Sequence, residues 1–189
     1  MQATTCKEFA DSLLSEKGVS SDLLPVCAIY GPNGGGKSNL LQALVCLISS
    51  VVKPLILLNQ EKVLPWQLYH AGCAPFAFDE TSKKEPTEFE VFFRTEGYEY
   101  RYQLSVFNGV VVFESLYRKK YGGKKPTFLF EREKDNIRLG ASINKAKLNT
   151  VVNNKMPYLS FLAINYNLPS INLAANWFYS CVIKNYTDP

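Results

Sequence analysis

The sequence predicts an α/β chain in three parts: a strand–loop–helix unit, an antiparallel β-layer and a helical C-terminal segment. Three observations carry this. An apolar run, Val26 to Tyr30, ends at a glycine-rich loop, and a long apolar stretch follows the loop. From Glu88 to Phe113 polar and apolar residues alternate with the period of two that strands require. Asn108-Gly109 sits between two such runs, a strong short-range hairpin signal.

The elements follow in order. Cys6 to Leu14 is predicted as a short helix, with Thr5 as N-cap and Glu8 three residues on, a capping-box pattern. Val26-Cys27-Ala28-Ile29-Tyr30 is predicted as a buried strand. Lys37 to Val52 is predicted as a helix that is apolar nearly all round and therefore buried, with Lys53-Pro54 ending it. The unit spans residues 23–54. The β-layer spans 74–139. Phe89 and Val91 alternate with Glu88 and Glu90, and Tyr98, Tyr100, Tyr102, Leu104 and Val106 alternate with Glu99, Arg101, Gln103 and Ser105. The three tyrosines fall on one strand face, so core packing is their expected role. Arg94 to Gly97 and Gly122-Gly123 mark further turns. The last part, 142–189, is predicted helical over Asn144 to Val152, Tyr158 to Asn165 and Ile171 to Ile183. Leu55 to His70 carries no pattern that selects an element.

With 189 residues, 47% hydrophobic and 20% charged, the chain suits one globular domain and not wholesale disorder. No apolar run reaches the roughly 18 residues of a membrane helix; Leu40 to Val52 is interrupted by Gln42, Ser49 and Ser50. The opening MQATTCKEFADSLL lacks a signal-peptide core, so no membrane partner is expected. Five scattered cysteines with no CxxC pair predict reduced thiols in a cytoplasmic protein, and His70 as the one histidine argues against zinc. Net charge is +4, but residues 118–147 hold ten Lys/Arg against three Asp/Glu. That block, interleaved with Tyr121, Phe128 and Phe130, is a candidate contact for a nucleic acid backbone, weighed against a solvated hairpin edge where lysines discourage aggregation.

Gly31-Pro32-Asn33-Gly34-Gly35-Gly36-Lys37-Ser38 satisfies G-x-x-x-x-G-K-[ST] at every fixed position, between a predicted strand and a predicted helix. The glycines let backbone N–H groups converge into an anion nest, and the nest sits at a helix N-terminus, where the dipole favours phosphate. Lys37 would meet the β- and γ-phosphates of ATP, and Ser38 would offer its hydroxyl to Mg²⁺. The expected nucleotide-binding set is Gly31, Pro32, Asn33, Gly34, Gly35, Gly36, Lys37, Ser38 and Asn39, with Ser38 as the metal contact.

The string IYGPNGGGKSNLLQAL resembles the ABC/SMC-like branch of P-loop ATPases, through Gly31, Asn33, Gly34, Gly36, Lys37, Ser38, Asn39 and Leu40. Further stretches, including PTEFEVFF, GYEYRYQLSV and MPYLSFLAINYNLPSINLAANWF, resemble AAA-type ATP-binding proteins related to the overcoming-lysogenization-defect and abortive-infection ATPases. The resemblance implies a P-loop NTPase core with an antiparallel β-layer and C-terminal helices, a role in phage defence, and a homodimer or partner protein that closes around ATP in the full-length form.

The departures define what is missing. Phe76-Ala77-Phe78-Asp79-Glu80 has the outline of a Walker B strand, but Pro75 precedes it, only three apolar residues lead to Asp79, and it falls where the resembled proteins begin their β-layer. An exposed strand end is the expected reading. No LSGG-like signature is present, and neither Gln60, Gln67 nor Gln103 stands out as the magnesium-binding glutamine. The chain therefore resembles the N-terminal half of such a protein, an incomplete ATPase fold. Two rival classes remain open: a non-hydrolysing nucleotide-dependent interaction module, and a P-loop kinase, which would need an acceptor site and a lid arginine.

Overall fold

The computed structural model describes residues 10–19, 21–58, 81–144 and 147–184. Its centre is a five-stranded antiparallel meander in sequential order. The strands are β1 (Thr87–Thr95), β2 (Tyr98–Phe107), β3 (Val110–Lys120), β4 (Thr127–Glu133) and β5 (Asn136–Leu139). Among the described residues three α-helices accompany them: α1 (Lys37–Leu58), α2 (Tyr158–Asn165) and α3 (Pro169–Ser180).

The hairpins form where the turn residues demand them. Asn108-Gly109 joins β2 to β3 with φ of 49° and 75°, the pair of positive angles a tight two-residue turn needs. The sheet then buries one face. Tyr100, Tyr102 and Leu104 of β2 are at most 1% exposed, as their alternation predicts. They pack with Phe93 of β1, Leu116 of β3 and Phe130 of β4 against the helices. Phe93 stacks on Trp177 at 4.2 Å between ring centroids, and Phe178 meets Tyr102 edge-on at 5.2 Å. Such pairs contribute about 0.5–1.5 kcal/mol each beyond their area burial.

One buried polar cluster interrupts this apolar layer. Glu114 of β3 and Arg132 of β4 are register partners, exposed by 0% and 1%. The Glu114 carboxylate accepts the N–H groups of Tyr158 and Leu159, at 2.5 and 2.9 Å, and the Tyr102 hydroxyl at 3.0 Å. Tyr158 opens α2 after Pro157, so the carboxylate meets the positive end of that helix and takes two of its unpaired donors. Arg132 spends its guanidinium on carbonyls: Lys134 and Met156, both at 2.8 Å.

Helix α1 corrects two expectations. It does not stop at Val52 but runs through Pro54 to Leu58. An interior proline costs about 3 kcal/mol. Burial of Ile56, about 1.5–3 kcal/mol, and a hydrogen bond from Ser160 Oγ of α2 to the Val51 carbonyl at 2.7 Å, about 1 kcal/mol, offset it. Nor is the helix buried all round. Ile48, Val51, Val52 and Ile56 form a buried stripe, whereas Leu40, Leu41 and Leu44 are 53%, 59% and 41% exposed. Extended in this way, α1 is long and apolar enough to cross a bilayer by length and composition. Its C-terminal half nevertheless lies in the protein core.

Other expectations fail for local reasons. Val26 to Tyr30 forms no strand: it pairs with nothing among the described residues, and Val26 and Tyr30 are 79% and 90% exposed. A strand without a neighbour cannot satisfy its backbone groups. The predicted helix over Asn144 to Val152 is absent from the described part, where residues 147–152 are irregular. Asn149 and Asn153 accept the N–H groups of Val151 and Lys155, local bonds that compete with a helix. Only a 3-10 turn, Ala10–Ser12, lies within the predicted first helix, whose residues 6–9 fall outside the described part. Strand β5 was not anticipated. Cys27 and Cys181 are free thiols, but Cys46 is disulfide-bonded, against the expectation of uniformly reduced cysteines.

The Glu114 cluster generates a stability prediction. Glu114→Ala leaves two helix N–H groups and the Tyr102 hydroxyl unmatched and removes the carboxylate beside the Arg132 charge, so chemical denaturation should show a loss of about 3–5 kcal/mol. Burial raises the Glu114 carboxyl above the ordinary 4.5, against the pull of the Leu159 and Tyr158 N–H groups, Tyr102 and Arg132. A raised folded-state value means stability is greatest where the group is protonated and is lost as pH climbs from 4.5 through the folded value. Glu114→Gln should flatten that part of the stability–pH curve. A variant curve parallel to the parent's would contradict this.

Candidate functional site

The glycine-rich loop stands at the head of α1. Gly34 and Gly36 have φ of 80° and 79°, a left-handed backbone that side chains resist. Between them Gly35 donates its N–H to the Pro32 carbonyl at 3.1 Å, closing a tight turn. A Cβ on Gly35 would stand 3.0 Å from that same oxygen. The helix begins at Lys37, and Leu40 N–H bonds back to the Gly36 carbonyl at 3.2 Å. Helix geometry therefore leaves the N–H groups of Lys37, Ser38 and Asn39 without intrahelical acceptors.

Lys37 folds back over this turn. Its ammonium donates to the carbonyls of Gly31 and Pro32, both at 2.7 Å. The chain thus curls around its own cation, with the helix-head N–H groups beside it. Gly31 to Gly36, Ser38 and Asn39 are all exposed, and Lys37 is half-buried. The structure places Gly31 to Gly36 in the turn and Lys37, Ser38 and Asn39 in the first turn of α1. It does not supply the flanking strand. Among the described residues no Asp or Glu bonds to the loop: Lys37 pairs with carbonyls, not a carboxylate. Nor does any group of three or more His, Cys, Asp or Glu offer a metal cluster there.

The other candidates disperse. Asp79-Glu80, His70, Gln60 and Gln67 lie outside the described residues. Gln103 sits on the sheet and accepts a hydrogen bond from Ser115 Oγ at 2.9 Å. Among its described residues the basic block does not form one patch. Arg132 is buried, Lys119 pairs with Glu99 at 3.0 Å, Arg138 pairs with Glu131, and Arg118 lies 4.7 Å over the Tyr98 ring. Exposed Lys124-Lys125 precede β4 and exposed Lys134 follows it, so they stand at opposite ends of that strand. The structural pair Glu114 and Arg132 escaped sequence reading. Its signal was Glu114 interrupting the apolar run of β3.

A turn of glycines that wraps a lysine at the head of a long helix has the loop and helix of a phosphate-binding motif without its strand. Residues 26–154 match a family model described as "AAA domain, putative AbiEii toxin, Type IV TA system". That match covers more than half of the chain, and the chain belongs to this family of AAA/P-loop ATPases related to abortive-infection proteins. No curated protein and no solved structure matches the chain.

The loop geometry is testable without a ligand assay of the whole reaction. Gly36→Ala places a Cβ on a backbone at φ of 79°, at a cost of about 1–2 kcal/mol. Global stability should fall by no more than that amount, because the exposed loop can relax. Hydrogen exchange at the head of α1 should speed up, and unchanged protection there would argue against a strained turn.

Proposed function

We propose that the chain binds ATP with Mg²⁺ through Gly31 to Asn39, acting as the Walker A loop of an ABC/SMC-like ATPase in a cytoplasmic phage-defence system. The observation that carries this is the curl of the loop around Lys37 at the N-terminus of α1. In the bound state Lys37 would exchange its two carbonyl partners for phosphate oxygens, while the loop and helix-head N–H groups cradle them. Ser38, exposed one residue into the helix, would hold Mg²⁺, which neutralises phosphate charge during transfer. Asn39 and Pro32 would shape the loop at its two ends.

The exposed apolar surface supports a second part of the proposal. Val26, Ile29 and Tyr30 before the loop, and Leu40, Leu41 and Leu44 after it, are each at least 41% exposed. Contiguous apolar exposure around a site marks an interaction surface. We assign it to the remainder of a P-loop core or to a partner that completes the ATPase, so 23–54, 74–139 and 142–189 together form a partial domain. A homodimer or partner protein would then contribute what hydrolysis needs. The non-hydrolysing module is the second reading, favoured by the lack of any carboxylate bonded to the loop among the described residues.

Two measurements test this. Charge-assisted contacts contribute about 1.5–3 kcal/mol, so Lys37→Ala should weaken ATP binding about ten- to hundredfold by calorimetry; equal affinities would sink the assignment. The isolated chain should release phosphate no faster than background at saturating ATP and Mg²⁺, and Glu80→Gln should change neither binding nor release. Robust turnover abolished by Glu80→Gln would instead identify Asp79-Glu80 as the Walker B pair.

A further inference from the structure

The second face of the sheet, away from the helices, is not a simple solvated face. Register places Phe92 of β1 opposite Arg101 of β2, Arg101 opposite Tyr117 of β3, and Tyr117 opposite Phe128 of β4. The result is one row across four strands: ring, guanidinium, ring, ring. Phe92 is 68% exposed, an unusual state for a phenylalanine in mid-strand. The Arg101 guanidinium lies 5.8 Å from the Phe92 ring centroid, and the Tyr117 and Phe128 rings are 5.4 Å apart. Beside this row runs a second: Arg94, Glu99 and Lys119. Glu99 bonds both cations, Arg94 at 3.1 Å and Lys119 at 3.0 Å, so one anion holds two cations in place.

An open groove of about 820 Å³ runs over both rows. Leu23 and Ser21 border it on one side, and Pro126 from the β3–β4 connection on another. The Ser21 segment is fixed there, since Arg94 donates to its carbonyl at 2.8 Å and its hydroxyl at 3.0 Å. On this face Arg94, Arg101 and Lys119 stand against Glu99 and, at the rim, Glu90, which bonds Arg101 at 2.5 Å; Arg118, opposite Tyr100, belongs to the helix side. Flat apolar rings next to fixed cations suit a ligand with aromatic faces linked by negative charge. A solvated sheet face would not present the exposed phenylalanine beside the second ring pair. A groove of this size takes one or two nucleotides rather than a duplex.

We propose that this face is a stacking platform for single-stranded nucleic acid, with bases on the Phe92–Arg101–Tyr117–Phe128 row and the backbone along Arg94 and Lys119. Base–aromatic stacking on sheets with flanking cations is tolerant of sequence and sensitive to salt. The platform is independent of the Lys37 loop. It also moves the nucleic acid contact from the 118–147 block as a whole to side chains on four strands.

The test is fluorescence anisotropy of the full chain with a short fluorescein-labelled oligothymidylate, repeated with oligouridylate and with the matching duplex. Both single strands should bind at low salt and weaken as salt rises. Phe92→Ala should weaken binding about tenfold, and Phe92→Trp should restore it. Exposure of Phe92 lets circular dichroism and the melting temperature verify that each variant folds. Lys134→Ala, on the β4–β5 turn, should leave affinity unchanged. Absence of single-strand binding at low salt would overturn the proposal. So would duplex binding as tight as the single strands', or an equal loss in Lys134→Ala and Phe92→Ala. Lys37→Ala should bind the oligonucleotides like the parent, which separates this result from the fate of the ATP reading.

Discussion

The carboxylate of Glu114 is the joint on which the layers of this protein meet. It lies in the sheet, fully buried, and its oxygens are shared by a tyrosine of the neighbouring strand and the first two N–H groups of α2. Arg132, its register partner, ties the chain between β5 and α2 to β4 through the Met156 carbonyl, and holds the β4–β5 turn through that of Lys134. An apolar residue of similar volume would avoid the desolvation cost, and buried ion pairs often give little net stability. What such a residue lacks is direction. The carboxylate fixes where α2 starts and which way it points. Then Ser160 on α2 bonds the Val51 carbonyl, and α1 is held through that contact and its buried stripe. The glycine loop rides on α1. The position of the loop relative to the sheet thus passes through Glu114.

The parts of the fold that were legible are those set by near neighbours in sequence. The Asn108-Gly109 turn needs only two residues to specify it, and the tyrosine alternation of β2 needs only its own strand. The helix from Tyr158 to Asn165 was legible for the same reason, bracketed by Pro157 and Pro169. Elements decided by distant partners were not. Pro54 looked like a stop because its cost is local, whereas the burial of Ile56 and the Ser160 bond come from elsewhere in the chain. Val26 to Tyr30 has strand composition, but composition cannot provide the neighbour that a strand must pair with. The asparagines at 149 and 153 drew bonds to nearby N–H groups and prevented the expected helix.

The same division holds for function. The loop is written in eight consecutive residues, so the sequence displays it whole. How Lys37 turns onto the Gly31 and Pro32 carbonyls is a matter of three dimensions, but its presence there is not. The aromatic row on the second face is the opposite case. Phe92, Arg101, Tyr117 and Phe128 are separated by nine to sixteen residues in sequence, and the irregular register near Leu116 decides that Tyr117 faces Phe128. No local pattern announces such a row. Charge counting pointed to the neighbouring basic block instead, where Arg132 serves as an internal strut.

Among the described residues, helix α1 joins the core along its C-terminal half, and this makes it a lever. From Leu47 to Lys37 it extends about 15 Å at 1.5 Å per residue. The grip runs from Leu47 to Ile56, and the glycine turn sits beyond the free end. A tilt of about eight degrees at the grip would carry the turn sideways by about 2 Å, roughly the difference between a made and a broken hydrogen bond. Small repacking around the Ser160 contact would therefore be magnified at the tip. The reverse holds as well: a force on the tip would arrive at the sheet with its displacement reduced and its leverage increased.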